Sequence, residues 1–525
     1  MSQTSSPNIL FLMADDHQAM SLGCAGNPDI ATPHLDRLAA DGMRFDRCYA
    51  TSPLCMPSRA TVFTGLHEYR HGVNFKPDSY SVTAPMDARI WATYSYAALL
   101  GNAGYRTGFA GKWGFPLDVG DYSAEFDSWG GFDGHFQGSY RTAENPALER
   151  YAADSPHVTR ALGAFGRDFI REASEDARPF CLSISFKAPH KPHDVIDPVD
   201  RARYEGTTFA KRDNWGREAA GLLPSQARLG RQYYLYRDWD AERYDDHIRA
   251  YYRLISGIDD AVGSLRAELD RTGVAENTVI IYTSDNGYYC GSHGLGGKVL
   301  PHEEASRVPL IVMDPRNGAS GGAGTRRQAS NAAVVGTIDF APTILELAGI
   351  GPVEDADGAS LVPLLDGRAD RVRESLPLIS NWGWAENDHS RCMAVVTEDA
   401  KYTFWPYGDE HIAPAEELYD LQTDPFELSN AAAPAGPPGR RIGDVPDGSH
   451  ESELLLRMRR LYDAHLKEWG ERCVDSQDYT RHRRLLDRHV SPGEKEYRPA
   501  IGKAEPCRVL RELYDREVQS IRDDG

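Results

Sequence analysis

The sequence predicts an α/β fold with a large, mostly parallel sheet flanked by helices, followed by a small antiparallel sheet and a helical tail. Between residues 8 and 347, short apolar segments alternate with amphipathic helical patterns, which is typical of a parallel sheet. After about residue 370 the apolar segments are shorter and are separated by turn residues, which indicates an antiparallel sheet. The 525 residues are 41% hydrophobic and 26% charged, a composition that excludes a disordered or fibrous chain.

The predicted strands of the large sheet are short, mostly apolar segments, namely 8–14, 105–111, 179–187, 278–284 and 308–313. The clearest helices carry apolar residues at helical spacing and cover residues 33–42, 247–271 and 337–347. Residues 194–245 show little periodicity but many Tyr, Trp and Arg, which predicts a long irregular insert.

The C-terminal part is predicted to contain strands at 376–380, 394–396 and 402–405, helices at 451–469 and 508–522, and an exposed loop at 432–447. We therefore divide the chain into residues 1–370, 371–473 and 474–525. The last of these segments carries no catalytic signal. We expect it to wrap the chain's own body or a neighbouring subunit, which in the second case would make a homo-oligomer.

The 58 basic and 78 acidic residues leave a net charge of −20. Such a field repels polyphosphates, so neither nucleic acid nor an anionic membrane is an expected partner, and a site for an anionic substrate has to be locally basic. No apolar segment approaches the roughly 18 residues that span a membrane. No secretory signal is visible, so we expect a cytoplasmic protein, or a periplasmic or secreted one if a leader has been removed.

The eight cysteines are scattered without zinc-site spacing, and most are expected to be small buried residues.

Oxygen-bearing side chains follow two of the predicted strands. Asp15 and Asp16 come directly after the first, and Asp285 and Asn286 come directly after the strand that ends at Ser284. Ligands of parallel α/β sheets gather at the carboxyl ends of strands, so these groups are expected to meet. Three carboxylates and a carboxamide suit Ca²⁺, Mg²⁺ or Mn²⁺. The alternative is that they only form turns or cap helices.

Basic side chains occur near other predicted strand ends. Lys112 and His190 each follow a strand, and Lys298 lies in a glycine-rich segment. Each could be an ordinary solvated side chain, but their shared position favours an anion site beside the cation. Cys55 lies just before a predicted helix N-terminus, a location that lowers the pKa of a thiol, so spacing alone indicates a reactive cysteine beside Arg59.

The segment around Cys55 carries a resemblance to a known family. Cys55-x-Pro57-Ser58-Arg59, followed by Ala60-Thr61 and Thr64-Gly65, resembles the signature of the formylglycine-dependent (type I) sulfatases of the alkaline-phosphatase superfamily. Further similar blocks follow in the family's order, among them Gly111-Lys-Trp113, Pro189-His190, Ser284-Asp-Asn-Gly287, Asp339-Phe-Ala-Pro-Thr343 and Glu417-Leu-Tyr-Asp-Leu421. The resemblance covers about residues 7–430 and implies an alkaline-phosphatase-like fold.

The resemblance also implies a mechanism of sulfate-ester hydrolysis. A maturation enzyme would oxidise Cys55 to formylglycine, whose hydrate attacks the sulfur of the ester and then eliminates sulfate. Arg59 and Lys112 would orient the diol. His190 and Lys298 would bind the sulfate, and one of them would protonate the leaving oxygen. The metal, Ca²⁺ in the first instance and otherwise Mg²⁺ or Mn²⁺, would be held by Asp15, Asp16, residue 55, Asp285 and Asn286.

One position departs from the family pattern. The family has Gly-Lys-Trp-His, whereas here Gly114 follows Trp113. Either another histidine assists the diol or the elimination step differs, and the candidate histidines are His17, His71, His135, His193 and His293. We favour His293, because it precedes Lys298 in a segment similar to a family block. The alternative is that it lies in a surface loop.

The leading interpretation is a sulfuric ester hydrolase. The alternative enzyme is a phosphonate monoester or phosphodiester hydrolase on the same scaffold, because phosphoryl and sulfuryl groups share a tetrahedral shape. A protein that binds sulfated ligands without turnover is a third interpretation, which only Gly114 favours. The aromatic and arginine side chains of the insert favour a sulfated carbohydrate over an aryl sulfate, although the same composition suits a subunit interface.

Overall fold

The computed structural model describes residues 6–75, 85–119, 121–132, 138–316, 330–382, 387–432, 449–475, 478–498 and 505–524. The strands in these ranges are β1 (Asn8–Asp15), β2 (Met43–Phe45), β3 (Cys48–Tyr49), β4 (Arg106–Lys112), β5 (Ser128–Phe132), β6 (Phe180–Pro189), β7 (Thr278–Ser284), β8 (Arg307–Val308), β9 (Leu310–Met313), β10 (Ser330–Asn331), β11 (Val335–Gly336), β12 (Leu376–Ser380), β13 (Cys392–Val396), β14 (Ala400–Trp405) and β15 (Ala415–Asp420). The α-helices are α1 (Pro33–Asp41), α2 (Cys55–Thr64), α3 (Glu68–His71), α4 (Ala88–Tyr94), α5 (Tyr96–Asn102), α6 (Val158–Ser174), α7 (Arg217–Ala220), α8 (Ser225–Arg228), α9 (Arg231–Leu235), α10 (Tyr244–Thr272), α11 (Glu303–Ser306), α12 (Phe340–Leu347), α13 (Val362–Leu365), α14 (His450–Arg472), α15 (Tyr479–Leu486) and α16 (Glu505–Asp524).

The large sheet contains eight strands in the order β10-β2-β9-β7-β1-β6-β4-β5. Its centre is parallel, with β1 between β7 and β6, and with β4 between β6 and β5. Strand β9 runs antiparallel to both of its neighbours, β2 and β7. The predicted large, mostly parallel sheet is confirmed.

Strand β1 shows why the central apolar segments are continuous. Ile9 and Phe11 pack in one core with residues of α2, α5 and α12, whereas Leu10 and Leu12 pack in a second core with residues of α6 and α10. A strand that helices cover on both faces needs apolar side chains at successive positions. Each such side chain contributes about 1.5–3 kcal/mol when it is fully buried.

Two segments differ from the sequence prediction. Residues 308–313 form two strands rather than one, because Pro309 cannot donate a backbone hydrogen bond and interrupts the ladder. Strand β8 therefore joins β3 and β11 in a separate three-stranded sheet, and β9 joins the large sheet. The insert 194–245 is not wholly irregular, since it contains the one-turn helices α7, α8 and α9.

The small C-terminal sheet is antiparallel in the order β12-β13-β14-β15, as predicted, although the sequence did not predict β15 as a strand. Helix α14 covers it with Leu455, Met458 and Trp469, which share a core with side chains of β13 and β14. None of the helices in the described ranges is long and apolar enough to cross a membrane. The loop predicted at 432–447 lies, apart from its first residue, outside the described residues.

The C-terminal tail packs on the chain's own body. Arg481 forms an ion pair with Asp388, and Glu517 of α16 accepts a hydrogen bond of 2.7 Å from Ser225 of α8. Leu510 is buried in the same core as α2 and α5. The division into three domains and a homo-oligomer through residues 474–525 stay predictions. Sedimentation of the chain truncated at Val474 tests the second of these, because an unchanged assembly contradicts it.

Buried histidines make the stability of this fold depend on pH. His71 lies in α3, its Nδ1 accepts a hydrogen bond from the backbone N–H of Val73, and burial lowers its pKa to about 3. Because the folded-state pKa is below the ordinary value of 6.5, His71 adds stability above pH 6.5 that is lost as the pH falls towards 3. We expect the loss to be about 1.4 kcal/mol per pH unit for this group.

Urea unfolding of wild type and His71→Gln at pH 7, 6 and 5 measures this contribution. Below pH 6.5 the free energy of unfolding of the variant should fall less steeply with pH than that of wild type. The difference between the two slopes should correspond to the uptake of about one proton on unfolding. Equal slopes would show that His71 does not titrate on unfolding.

Candidate active site

Two neighbouring strands and the start of helix α2 bring four predicted ligands together. Strands β1 and β7 are parallel partners with Ala14 opposite Ser284, so the residues that follow them meet at one edge of the sheet. One potential ligand atom each of Asp15, Asp16, Asp285 and Cys55 lies within 4.8 Å of the others, and all four residues are buried. The structure therefore brings the predicted carboxylates and the cysteine into a single cluster.

Cys55 is the first residue of α2, two residues earlier than the predicted helix start. Its Sγ lies 3.2 Å from Asp15 Oδ1, and Lys298 Nζ lies 2.6 Å from Sγ. The expectation of a lowered thiol pKa is wrong. Burial, followed by the charge of Asp15, raises the pKa of Cys55 to about 12, which outweighs the helix N-terminus and the nearby lysines. An unmodified thiol in this environment is protonated and weakly nucleophilic.

Arg59 lies one helical turn after Cys55 and is completely buried. Its Nε donates to Asp285 Oδ2 at 2.8 Å, and its Nη1 donates to the backbone carbonyl of Lys112 at 2.8 Å. Gly114 packs against this side chain with a φ of 87°, and a Cβ there would lie 2.7 Å from Arg59 Cδ. A side chain at position 114 would therefore require Arg59 to shift from the position it has here.

Lysines pair with the carboxylates of the cluster. Lys112 forms an ion pair with Asp15, and Lys298 forms one with Asp16. Burial alone would raise the pKa of Asp15, but Lys112 and the other nearby cations hold it well below its usual value. With Arg59, the three cations match the three carboxylates, so the charge of the cluster itself is balanced. The lining of the cavity above it is basic, because its lysines and arginines outnumber its two carboxylates, Asp16 and Glu144.

The cluster fits a divalent cation. Burial, together with the charges of Asp15 and Asp285, raises the pKa of Asp16 to about 6 despite Lys298. Burial and Asp15 also raise the pKa of Asp285. The Nδ2 of Asn286 donates a hydrogen bond of 2.6 Å to Asp16 Oδ1, whereas the Oδ1 of Asn286 is buried and has no hydrogen-bond partner among the described residues. Mutually repelling carboxylates and an unsatisfied amide oxygen are the donor set that Ca²⁺, Mg²⁺ or Mn²⁺ would complete.

A cavity of about 690 Å³ opens above Cys55. His190 lines it and places Nε2 3.9 Å from Asp16 Oδ2, while Nδ1 lies 2.7 Å from the carbonyl oxygen of Lys191 to which it donates. Burial lowers the pKa of His190 well below its usual value, so its ring is neutral at pH 7. The further described lining residues include Tyr140, Lys187, Arg231, Leu235 and Trp382.

The structure does not bring His293 to the cavity. It is completely buried in a separate cluster, where Nε2 lies 3.1 Å from Asn214 Nδ2 and 3.5 Å from Glu304 Oε2, so it is not in a surface loop either. Burial lowers its pKa to about 4. His17, His71 and His193 do not line the described cavity, and His135 lies outside the described residues.

The sequence analysis did not single out Lys187, Tyr140 or Trp382 as site residues. Lys187 belongs to β6 near its carboxyl end, and the position of a charged residue at the end of an apolar strand is the signal that could have found it. Tyr140 and Trp382 come from segments with no motif, so only the folded chain shows that they line the cavity.

Comparisons with known proteins identify the family that this sequence resembles. The family model described as "Sulfatase" matches residues 7–350, and the one described as "N-sulphoglucosamine sulphohydrolase, C-terminal" matches residues 291–435. The N-acetylglucosamine-6-O-sulfatase of Bacteroides thetaiotaomicron is 26% identical over 489 residues, which cover 82% of this chain and 83% of the relative.

Solved structures also resemble this chain. A protein in complex with its substrate D-glucosamine-2-N,6-O-disulfate is 25% identical with a TM-score of 0.68, covering 89% of this chain and 99% of its own. The phosphonate monoester hydrolase of Agrobacterium radiobacter is 24% identical with a TM-score of 0.66, covering 88% of this chain and 96% of its own. The second likeness shows the fold alone.

Proposed function

This chain belongs to the sulfatase family and is a sulfuric ester hydrolase, and from that premise we propose that it removes sulfate from a carbohydrate through a formylglycine formed at Cys55. The observation that carries the proposal is the cluster of Cys55 with three carboxylates at the floor of a cavity that is locally basic. The carbohydrate is supported by the relatives, one named for N-acetylglucosamine 6-O-sulfate and one solved with a disulfated glucosamine.

The buried thiol of Cys55 is a weak nucleophile, and the modification at position 55 would replace it with a better one. Its hydrate provides a geminal diol, with one hydroxyl for attack on sulfur and the other for the elimination that releases sulfate. Arg59, held by Asp285 and the Lys112 carbonyl, orients the side chain at position 55. A maturation enzyme is therefore a required partner.

Two side chains face the sulfate of the bound ester. Lys298 contacts the side chain at position 55, and His190 lies at the cavity wall. Of the two, Lys298 is the better proton donor to the leaving oxygen at neutral pH, because the ring of His190 is neutral and its Nδ1 proton is engaged with a backbone carbonyl. The candidate histidines that the structure describes, His17, His71, His193 and His293, do not line the cavity, so none of these four is placed to assist the elimination step.

Asp15, Asp16, Asp285, Asn286 and residue 55 would hold the cation, for which we propose Ca²⁺. A bound divalent ion supplies charge stabilisation for an oxygen nucleophile and for the sulfuryl group. The chain's own contribution is to hold three buried carboxylates at one sheet edge, through the pairing of β1 with β7.

A substrate panel tests this function. Protein made with a maturation enzyme and supplied with Ca²⁺ is assayed for release of sulfate from N-acetylglucosamine 6-sulfate and glucosamine-2-N,6-O-disulfate, and for hydrolysis of an aryl sulfate and a phenyl phosphonate monoester. We expect the highest kcat/KM on a sulfated sugar. Preferred hydrolysis of the phosphonate would establish the alternative enzyme, and ligand binding without any turnover would establish a binding protein.

A further inference from the structure

Lys187 is a buried positive charge in the wall of the cavity. It lies near the carboxyl end of β6, and only 5% of its surface is exposed. Its ammonium lies 5.5 Å from the ring centroid of Tyr140, which is itself buried. Among the described residues its ammonium forms neither an ion pair nor a hydrogen bond. The same side chain lines the cavity that opens above Cys55.

The other lysines of this cavity wall are neutralised by carboxylates. Lys112 pairs with Asp15, Lys298 pairs with Asp16, and Lys191 pairs with Asp238 at 2.6 Å. Lys187 differs from them because its described partner is an aromatic ring. A buried ammonium without a counter-ion pays a desolvation penalty that no ion pair offsets, so a lysine at this position needs another explanation.

The carboxylates of the cluster around Cys55 are already balanced by other cations, so none is left to balance Lys187. The carboxylates of Asp15, Asp16 and Asp285 are balanced by Arg59, Lys112 and Lys298, and Lys187 adds a fourth cation to that balanced set. Burial and the neighbouring charge of Lys112 lower the pKa of Lys187 to about 8, so the ammonium is still mostly charged at pH 7. Lys187 and Cys55 line the same cavity, so one bound substrate can contact both.

We propose that Lys187 is a specificity-determining residue, which binds a second anionic group carried by the same sugar as the scissile sulfate ester. This inference rests on the proposed sulfatase function and narrows its substrate to sugars with two anionic groups. The ammonium can donate a charge-assisted hydrogen bond to this second group from a cavity wall that is largely shielded from water. At such a place the bond discriminates strongly between sugars that carry the second anionic group and sugars that lack it. The ring of Tyr140 holds the ammonium in place while the cavity is empty of substrate.

The test uses a matched pair of sugars and three variants. Wild type, Lys187→Met and Lys187→Arg, all converted and loaded with Ca²⁺, are assayed on glucosamine-2-N,6-O-disulfate and on N-acetylglucosamine 6-sulfate, which lacks the second anion. Lys467→Met, which removes an exposed lysine of α14, controls for the loss of one unit of charge. Thermal unfolding of each variant shows whether it is folded.

Lys187→Met should lower kcat/KM on the disulfate about 10- to 100-fold, mainly through a higher KM, and should change kcat/KM on the monosulfate less than about threefold. Lys187→Arg should recover part of the loss, and Lys467→Met should show none. An equal loss on both sugars would mean that Lys187 acts on the scissile sulfate or on the fold, and would overturn the inference. No loss on either sugar would overturn it as well.

A binding measurement separates this inference from the proposed function. Calorimetric titration of both sugars into Cys55→Ala protein, with and without Lys187→Met, needs no turnover. Tighter binding of the disulfate that depends on Lys187 would support the inference even if wild type hydrolysed neither sugar, an outcome that would refute the proposed function alone. Equal or undetectable binding of the two sugars would overturn the inference.

Discussion

Replacing Cys55 with alanine is expected to lower kcat/KM on a sulfated glucosamine by at least about 10⁴-fold. The reason is that position 55 provides the nucleophile in the proposed mechanism, and its neighbours Asp15 and Lys298 are held in ion pairs and cannot replace it. Cation binding should persist, because the three carboxylates remain. Steady-state kinetics and calorimetry with Ca²⁺ measure the two effects separately.

Mass spectrometry of the tryptic peptide 48–59 accompanies the kinetics. Conversion exchanges one sulfur and two hydrogens of Cys55 for one oxygen, and Cys48 in the same peptide is an internal standard that should remain unmodified. Cys181→Ala is the matched control, since this thiol is also buried but does not line the cavity. Its activity should stay within about threefold of wild type. An active Cys55→Ala protein, or an unconverted but active wild type, would refute the formylglycine mechanism.

Changing Asp16 to asparagine should remove most of the stabilisation that a bound cation provides. At 100 times its dissociation constant, a cation stabilises wild type by about 2.7 kcal/mol. If the loss of one carboxylate weakens binding about 100-fold, the same cation concentration stabilises the variant by only about 0.4 kcal/mol. The substitution keeps the backbone, because Asp16 has a φ of 70° and asparagine tolerates the left-handed region.

Urea unfolding in Ca²⁺ and in EDTA measures the difference for each protein. Asp388→Asn is the control, because this buried carboxylate pairs with Arg391 and Arg481 far along the chain from the cluster. Asp388→Asn should lower the free energy of unfolding in both conditions, while the increase that Ca²⁺ causes should equal that of wild type. If Ca²⁺ stabilised Asp16→Asn as much as wild type, the carboxylate of Asp16 would not be a ligand.

Much of the fold could be predicted because its signals are local. The continuous apolar pattern of β1 and the helical spacing of α10 follow from burial on both faces of a sheet and on one face of a helix. The division of β8 from β9 could have been predicted from Pro309. The short helices of the insert could not, since α7, α8 and α9 each span four or five residues and are fixed by tertiary packing rather than by periodicity.

The site was predictable to the extent that it lies at strand ends or in a motif. The meeting of Asp15 with Asp285 follows from the parallel pairing of β1 and β7, which the fold class already implies. The raised pKa of Cys55 could not be predicted, because it depends on the degree of burial that the surrounding segments create. The absence of His293 from the cavity wall likewise depends on where the loop after β7 folds, and spacing in the chain does not specify that.

The burial of helix α2 has a consequence for the order of events during biosynthesis. Every residue of this helix, from Cys55 to Thr64, is buried. An enzyme that oxidises Cys55 would have to bind the segment around it, and of this helix only Cys55 lines the cavity, where it is 5% exposed. If Cys55 is converted to formylglycine as proposed, we therefore expect the oxidation to occur on the nascent or still-unfolded chain. A molecule that folded first would then keep its thiol, and adding the oxidising enzyme afterwards would activate it only after unfolding and refolding.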